Sequence, residues 1–209
     1  MRVTLISCIR SVALLFLWSL GICSTFGQDA QSADTILPGV GVGHVILGQT
    51  QGDVHASLGA PKLSAGGFSG RIWEIWRSGV AFDGNRQNGV QELEVYFAED
   101  PSNTQAGSMV RQIRVTSPFF RTTSGISIRN SFTEIIHTFP NLQRDEELTD
   151  SLNEDRSEKE AEIFVDETHG IAFEFRNGAA ADPNARGYCL AIHVFRPGTE
   201  PRVMDAFDE

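Results

Sequence analysis

Five histidines, one late cysteine, two glycine-rich turns and a dense run of carboxylates are the residues of this chain best suited to chemistry. The histidines are His44, His55, His137, His169 and His193. No two of them have the HxxxH or HxH spacing that aims two imidazoles at one metal ion, and no cysteine cluster completes a tetrahedral site. Cys189 falls within the alternating stretch YCLAIHVF (188–195), where a lone cysteine reads as a small apolar residue. A Cys–His nucleophile would need His137 or His193 beside it in space. The turn GVGVGH (39–44) lacks the strand–GxGxxG–helix order of a phosphate loop, and LGAPKLSAGGFSG (58–70) opens no helix. Between Asp145 and Glu162 stand nine acids against Arg156 and Lys159. Calcium would need alternating ligands around a central glycine; Asp150, Asn153 and Asp155 do not supply that pattern. The reading is no catalytic residue, no metal and no cofactor.

Composition narrows the class. The chain has 209 residues, a net charge of −10 and 41% hydrophobic content, which is ordinary for a globular protein. An acidic balance repels nucleic acid and anionic membrane surfaces. Residues 1–27 differ from the rest. Arg2 and Arg10 precede the apolar run SVALLFLWSLGI, and small residues lead to a polar exit at Gln28. That is the pattern of a signal peptide, and the run is shorter than the roughly 20 apolar residues a membrane span needs. Cleavage after Gly27 is expected, leaving an exported, soluble, periplasmic or extracellular chain. A retained membrane anchor is the first alternative, disfavoured by the shortness of the run, and lipidation at Cys23 is the second, disfavoured by the bulk of Ile22 before it. Cleavage removes Cys8 and Cys23 and leaves Cys189 without an intramolecular disulfide partner.

The elements expected after that segment come in two sets. Residues 28–35 read as a flexible leader, 36–118 as a first unit, 119–198 as a second and 199–209 as a tail. In the first unit Thr50 and Asp53 make a capping box, Val54 and Leu58 form a buried stripe, and Gly59 and Pro61 stop the helix. Strands are expected at 71–77, 79–84, 90–97 and 110–115, with DGNRQNG as a hairpin loop. In the second unit Ser131 and Glu134 repeat the box, Ile135, Ile136 and Phe139 repeat the stripe, and Pro140 stops the helix. Strands are expected at 162–167, 170–176 and 188–195. GIAFEFR matches GVAFDG from Gly170 with Gly79, and the last strand, 188–195, matches the stretch at 90–97. The predicted fold is therefore α+β: an internal duplication of two similar units, each a short helix region on one face of a three- or four-stranded antiparallel sheet. The acidic stretch 144–162 reads as a solvated loop, with a short charged helix as the alternative.

The string G-Q-T-x-x-D-V-x-x-x-L-G-A-P, Gly48 to Pro61, resembles the opening helix of BamE/SmpA-type envelope domains. The layout as a whole resembles the tandem units of β-lactamase inhibitory proteins. Arg129 and Pro140 stand in the second unit where Gly48 and Gly59 stand in the first. The resemblance implies a non-catalytic, exported protein-binding or scaffolding module of the cell envelope with an unidentified protein partner. The alternative is a secreted hydrolase with its site between the units. Strand alternation places Trp73, Ile75, Val80, Phe82, Leu93, Val95 and Phe97 under the first helix, and Ile171, Phe173, Leu190, Ile192 and Val194 under the second. It sends Trp76, Tyr96, His193 and Phe195 to the uncovered face, among Glu74, Glu92, Glu94, Glu174 and Arg176. Aromatics among charges make that face the expected partner surface.

Overall fold

Each helix starts where a side chain closes the first turn. A computed structural model describes residues 33–66, 71–78, 91–99, 107–154, 161–176 and 187–203. In chain order these form β1 (Thr35–Leu37), β2 (Gly41–Val42), β3 (Val45–Ile46), α1 (Gln51–Leu58), β4 (Leu63–Gly66), β5 (Arg71–Ser78), β6 (Gln91–Glu99) and β7 (Ser108–Val115). There follow β8 (Arg121–Thr122), α2 (Phe132–Thr138), β9 (Gln143–Asp145), α3 (Glu146–Glu154), β10 (Ala161–Asp166), β11 (Ile171–Arg176) and β12 (Cys189–Phe195). At α1 the Asp53 amide donates to Thr50 Oγ1 at 3.2 Å, and the Thr50 amide donates back to Asp53 Oδ2 at 3.4 Å. At α2 the same exchange joins Glu134 N to Ser131 Oγ at 3.3 Å and Ser131 N to Glu134 Oε2 at 2.8 Å. These backbone and hydroxyl donors hold the Glu134 carboxyl below its usual range.

The strands do not form two small sheets. β4-β5-β6-β7-β12-β11-β10-β9 is one eight-stranded antiparallel sheet, which overturns the expected pair of helix-plus-small-sheet units. The join lies at the centre, where Val115 pairs with Ile192, Arg114 with His193 and Ile113 with Val194. A three- or four-stranded sheet leaves an edge of unpaired amides and carbonyls, and pairing β7 to β12 removes one such edge from each half. A second, mixed sheet, β3-β2-β1-β8, was not foreseen; its β1 and β8 run parallel.

Each half has a capped helix whose cap residue bridges to the chain at the start of the half's inner strand: Thr50 to Met109 of β7, and Ser131 to Tyr188 just before β12. β12 therefore corresponds to β7, not to the stretch at 90–97 as the sequence suggests. Both inner strands carry a bulge at the matching place. The register slips opposite Tyr96 and Phe97 in β6, and opposite Glu174 and Phe175 in β11, leaving Arg111 and Leu190 as the extra residues. The expected strand at 79–84 and the hairpin loop at 83–89 lie outside the described residues.

The core fills the helix side of the sheet. Leu93, Val95, Phe97, Ile113, Val115, Phe173, Phe175, Ile192 and Val194 meet Val54 of α1, Phe132 and Ile135 of α2, and Ile36, Val42 and Val45 of the small sheet. Phe132 packs edge-on against Phe164 and Phe175, with ring centroids 4.9 and 5.1 Å apart. One strand is turned over relative to the reading above. Trp73 pairs with Tyr96 and Ile75 with Glu94, so both face away from the helices; Trp76 pairs with Leu93 and faces them. Both faces of β5 are apolar, so its alternation does not say which is inside.

The acidic stretch is ordered at both ends. It forms β9, α3 and the start of β10 in place of the expected loop, with 155–160 outside the described residues. Asp145 Oδ1 caps α3 by accepting from Leu148 N at 2.9 Å. Thr149 Oγ1 accepts from Ile163 N at 3.1 Å, and Asn153 donates to Ala161 O at 2.8 Å. Side chains of α3 thus satisfy the edge of β10 where β9 stops. Gly170, between β10 and β11, has φ +66°, and a Cβ there would meet Phe195 O at 2.2 Å.

Thr50→Ala and Ser131→Ala should each destabilise by about 1 kcal/mol. Val54→Ala and Ile135→Ala, at fully buried positions, should cost about 2 kcal/mol or more. Urea denaturation of the four variants checks the ordering; equal, negligible effects would show that neither helix anchors the sheet.

Candidate functional site

The face of the sheet turned away from α1 and α2 carries a buried polar strip at its centre. Alternation sets Glu94 and Tyr96 on β6, Gln112 and Arg114 on β7, His193 on β12 and Glu174 on β11 on that side. Arg114 is the hub. Its Nη1 donates to Glu94 Oε1 at 2.6 Å, and its Nε and Nη2 fork onto Glu174 Oε1 and Oε2 at 2.7 and 3.0 Å. His193 Nε2 lies 2.7 Å from Glu174 Oε1, and Gln112 Nε2 lies 2.8 Å from His193 Nδ1. Gln112 Oε1 accepts from Arg202 N at 2.7 Å and its Nε2 donates to Arg202 O at 2.7 Å, which fixes the amide orientation. His193 Nδ1 is then an acceptor and Nε2–H a donor to Glu174.

Two carboxylates share one guanidinium out of reach of water: Glu94 is 3% exposed and Glu174 is 1% exposed. Burial alone would raise Glu174, but the Arg114 charge and the His193 and Arg114 hydrogen bonds overcome it and hold the carboxyl well below the usual range. Burial pushes Glu94 up, Arg114 pulls against it, and the charge on Glu174 adds to the push. Glu94 Oε2 is buried with no hydrogen-bond partner among the described residues. Burial alone would lower Arg114, but the two carboxylates raise it, so it stays charged.

The residues beyond β12 form a strap over the end of this strip. Gln112 clasps both backbone polar groups of Arg202, whose guanidinium carbon lies 6.0 Å from the centre of the Tyr96 ring. Between strap and sheet runs an open cleft of about 980 Å³. Arg196, Glu200 and Arg202 line its strap wall; Arg71, Glu99, Tyr96 and Arg111 line its sheet wall.

The predicted partner face does not form. Trp76 lies on the helix side, its indole Nε1 donating to Gly59 O at 3.1 Å. Tyr96, His193 and Phe195 do face away from the helices but are 4%, 0% and 1% exposed. Phe195 belongs to a separate apolar cluster with Ile163, Val165 and Ala172, under Leu148 of α3. Tyr96 alone of the four lines the cleft. Sequence reasoning missed Arg114, Gln112 and Arg202, and read Glu94 and Glu174 as solvent-facing. The one available signal was charge at alternate positions of adjacent strands.

Other candidates stay apart. Cys189 is buried; its thiol donates to Ala191 O at 3.1 Å, and burial pushes it well up. The bulge at Leu190 turns Cys189 to the helix side, away from His193. His55 Nε2 lies 2.7 Å from Glu74 Oε2, but Ser64 Oγ donates to the same carboxylate at 3.3 Å, so acid, histidine and serine do not line up as a relay. Exposed His169 pairs with buried Asp166 at 2.7 Å. No group of three or more His, Cys, Asp or Glu among the described residues could hold a metal ion.

Two outcomes follow for the strip. Glu94 is raised, so its contribution to stability is full below the unfolded carboxyl value of about 4.3 and falls as pH rises through the folded value. Glu174 is lowered, so its contribution is full above about 4.3 and is lost as pH falls through the folded value. Glu94→Gln should therefore gain stability relative to wild type as pH rises, and Glu174→Gln should lose about 3 kcal/mol or more at neutral pH by taking the forked carboxylate from Arg114. Denaturation curves across the acid-to-neutral range check both signs. Gln112→Leu should free the strap and speed tryptic cleavage after Arg202, the strap arginine not followed by proline; an unchanged cleavage rate would mean that the clasp does not hold it.

No family model and no curated protein matches the sequence. Two solved structures are similar at low level. One is an extracellular protein containing an SCP domain from Bacillus anthracis str. Ames, at 12% identity and a TM-score of 0.42, covering 79% of this chain and 47% of that one. This chain thus spans about half the length of that protein. The other is the uncharacterized protein yfeY from Escherichia coli, at 12% identity and a TM-score of 0.40, covering 78% of this chain and 100% of that one.

Proposed function

We propose that this chain is an exported, non-catalytic protein-binding or scaffolding module of the cell envelope. The observation that carries the reading is the contrast between a closed acid–base network and an open cleft. Glu94 and Glu174 have pKa values driven apart, as an acid–base pair in a hydrolase would. They are also sealed, and neither the strap cleft nor the smaller cavity at β9 and the end of β10 is lined by Glu94, Arg114, Glu174 or His193. A scissile bond cannot reach carboxylates that solvent does not reach. The cleft is open to solvent, holds about 980 Å³ and is built from strand ends and a clasped strap, which suits a segment of another protein.

The leader SVALLFLWSLGI supports export, and no helix among the described residues is long and apolar enough to cross a membrane. The Gly48–Pro61 likeness to BamE/SmpA-type domains supports a binding class, and α1 occupies that stretch with its capping box formed. The hydrolase reading keeps one specific support, the split carboxylate pair.

Affinity capture with the chain from Gln28 onward, against envelope extract, separates the two. The expected result is a saturable, stoichiometric protein partner retained equally by wild type and Glu94→Gln. Turnover of ester, peptide or glycoside substrates that disappears in Glu94→Gln would replace this reading with the hydrolase.

A further inference from the structure

We propose that the strap cleft binds the carboxylates of an acidic, extended peptide segment. The proposal rests on the binding-module reading and names the chemistry of its partner. The chain as a whole carries a charge of −10. Among the described residues the cleft reverses that sign locally: Arg71, Arg111, Arg196 and Arg202 line it against Glu99 and Glu200. A concave, positive patch in an acidic surface concentrates field lines and favours an anionic visitor.

The arginines are carried on fixed backbone. Arg71 opens β5. Arg111 is the bulged residue of β7, and a bulge re-aims its side chain from the ordinary alternation. Its Nη2 donates to Glu99 O at 3.3 Å at the cleft wall. Arg202 is held at both its N–H and its C=O by Gln112. Guanidinium groups so placed present planar forks that match carboxylates in two-point contact. At about 980 Å³ the space sits at the upper end of small-ligand pockets, roughly 300–1,000 Å³, and is open to solvent. A lone anion would leave most of it empty, whereas an extended chain passes through it. The negative charge of the rest of the protein works against a nucleic acid backbone, whose phosphates continue past the cleft on both sides.

Fluorescence anisotropy with a labelled oligoglutamate peptide tests this, with oligoglutamine, oligolysine and oligothymidylate as competitors. Oligoglutamate should bind at least about tenfold more tightly than oligoglutamine, the value of one charge-assisted contact, and weaken as salt rises. Arg71→Ser and Arg202→Ser, both at exposed positions, should each cut affinity about tenfold or more without moving the melting curve. Equal binding of oligoglutamine, tighter binding of oligothymidylate, or arginine variants that bind as wild type would overturn the proposal. If a captured partner binds both arginine variants normally, the acidic occupant falls and the binding module stands. If oligoglutamate binds but the envelope yields no partner, the module reading falls and the anion cleft stands.

Discussion

One guanidinium, between two carboxylates and beside a histidine, sits at the seam on which this fold depends. Arg114 and His193 face each other across the β7–β12 pair, the contact that makes one sheet of two halves. Burying such charges is expensive, and an apolar substitute would often be as stable. The effect on register is sharper. A slip of one residue between β7 and β12 would turn either Arg114 or His193 into the layer of Phe and Val under the helices. It would also bring an apolar neighbour from the turned strand, Ile113 or Val115 in β7 or Ile192 or Val194 in β12, among Glu94 and Glu174. Either outcome leaves a charge without a partner in the interior, so the polar strip admits a single alignment.

The two faces of the sheet divide the work. The helix side is packed with aromatic and branched side chains and supplies cohesion. The other side carries few apolar groups at its centre and is tied by hydrogen bonds that run from β6 through β7 and β12 to β11, then out to the strap. The paired bulges make the division possible. They let Val110 and Cys189 turn toward the helices while Gln112 and His193, farther along the same strands, stay on the polar side.

The local elements were legible and the assembly was not. Capping boxes are three-residue patterns, so Thr50 and Ser131 could be placed from sequence. Alternation of Leu93, Val95 and Phe97 found the buried side of β6 because one parity is wholly apolar. In β5 both parities are apolar, Ile72 and Trp76 on one and Trp73 and Ile75 on the other, so the choice of face was a coin without markings. Joining the half-sheets depends on edges that meet only in space, which no short window contains. Glu94, Glu174 and His193 were assigned to solvent because polarity ordinarily means water; only the presence of Arg114 at the matching position of the neighbouring strand reverses that. In the acidic stretch, Leu148 and Leu152 stand four apart with Thr149 and Asn153 beside them, a helical spacing masked by the surrounding charge.

The central pairing also sets an order of events. β7 ends at Val115 and β12 begins at Cys189, so the chain between them must be made before the sheet can close. Contacts this distant in sequence slow folding, since the loop must close before they reward it. In the interval the first half holds β7 as a bare edge, Arg114 unpaired from Glu174. A growing chain is open there to strand pairing with its own copies. The same arginine that fixes the finished register keeps a charge on the waiting edge, and an edge with an inward charge is a poor template for a stranger.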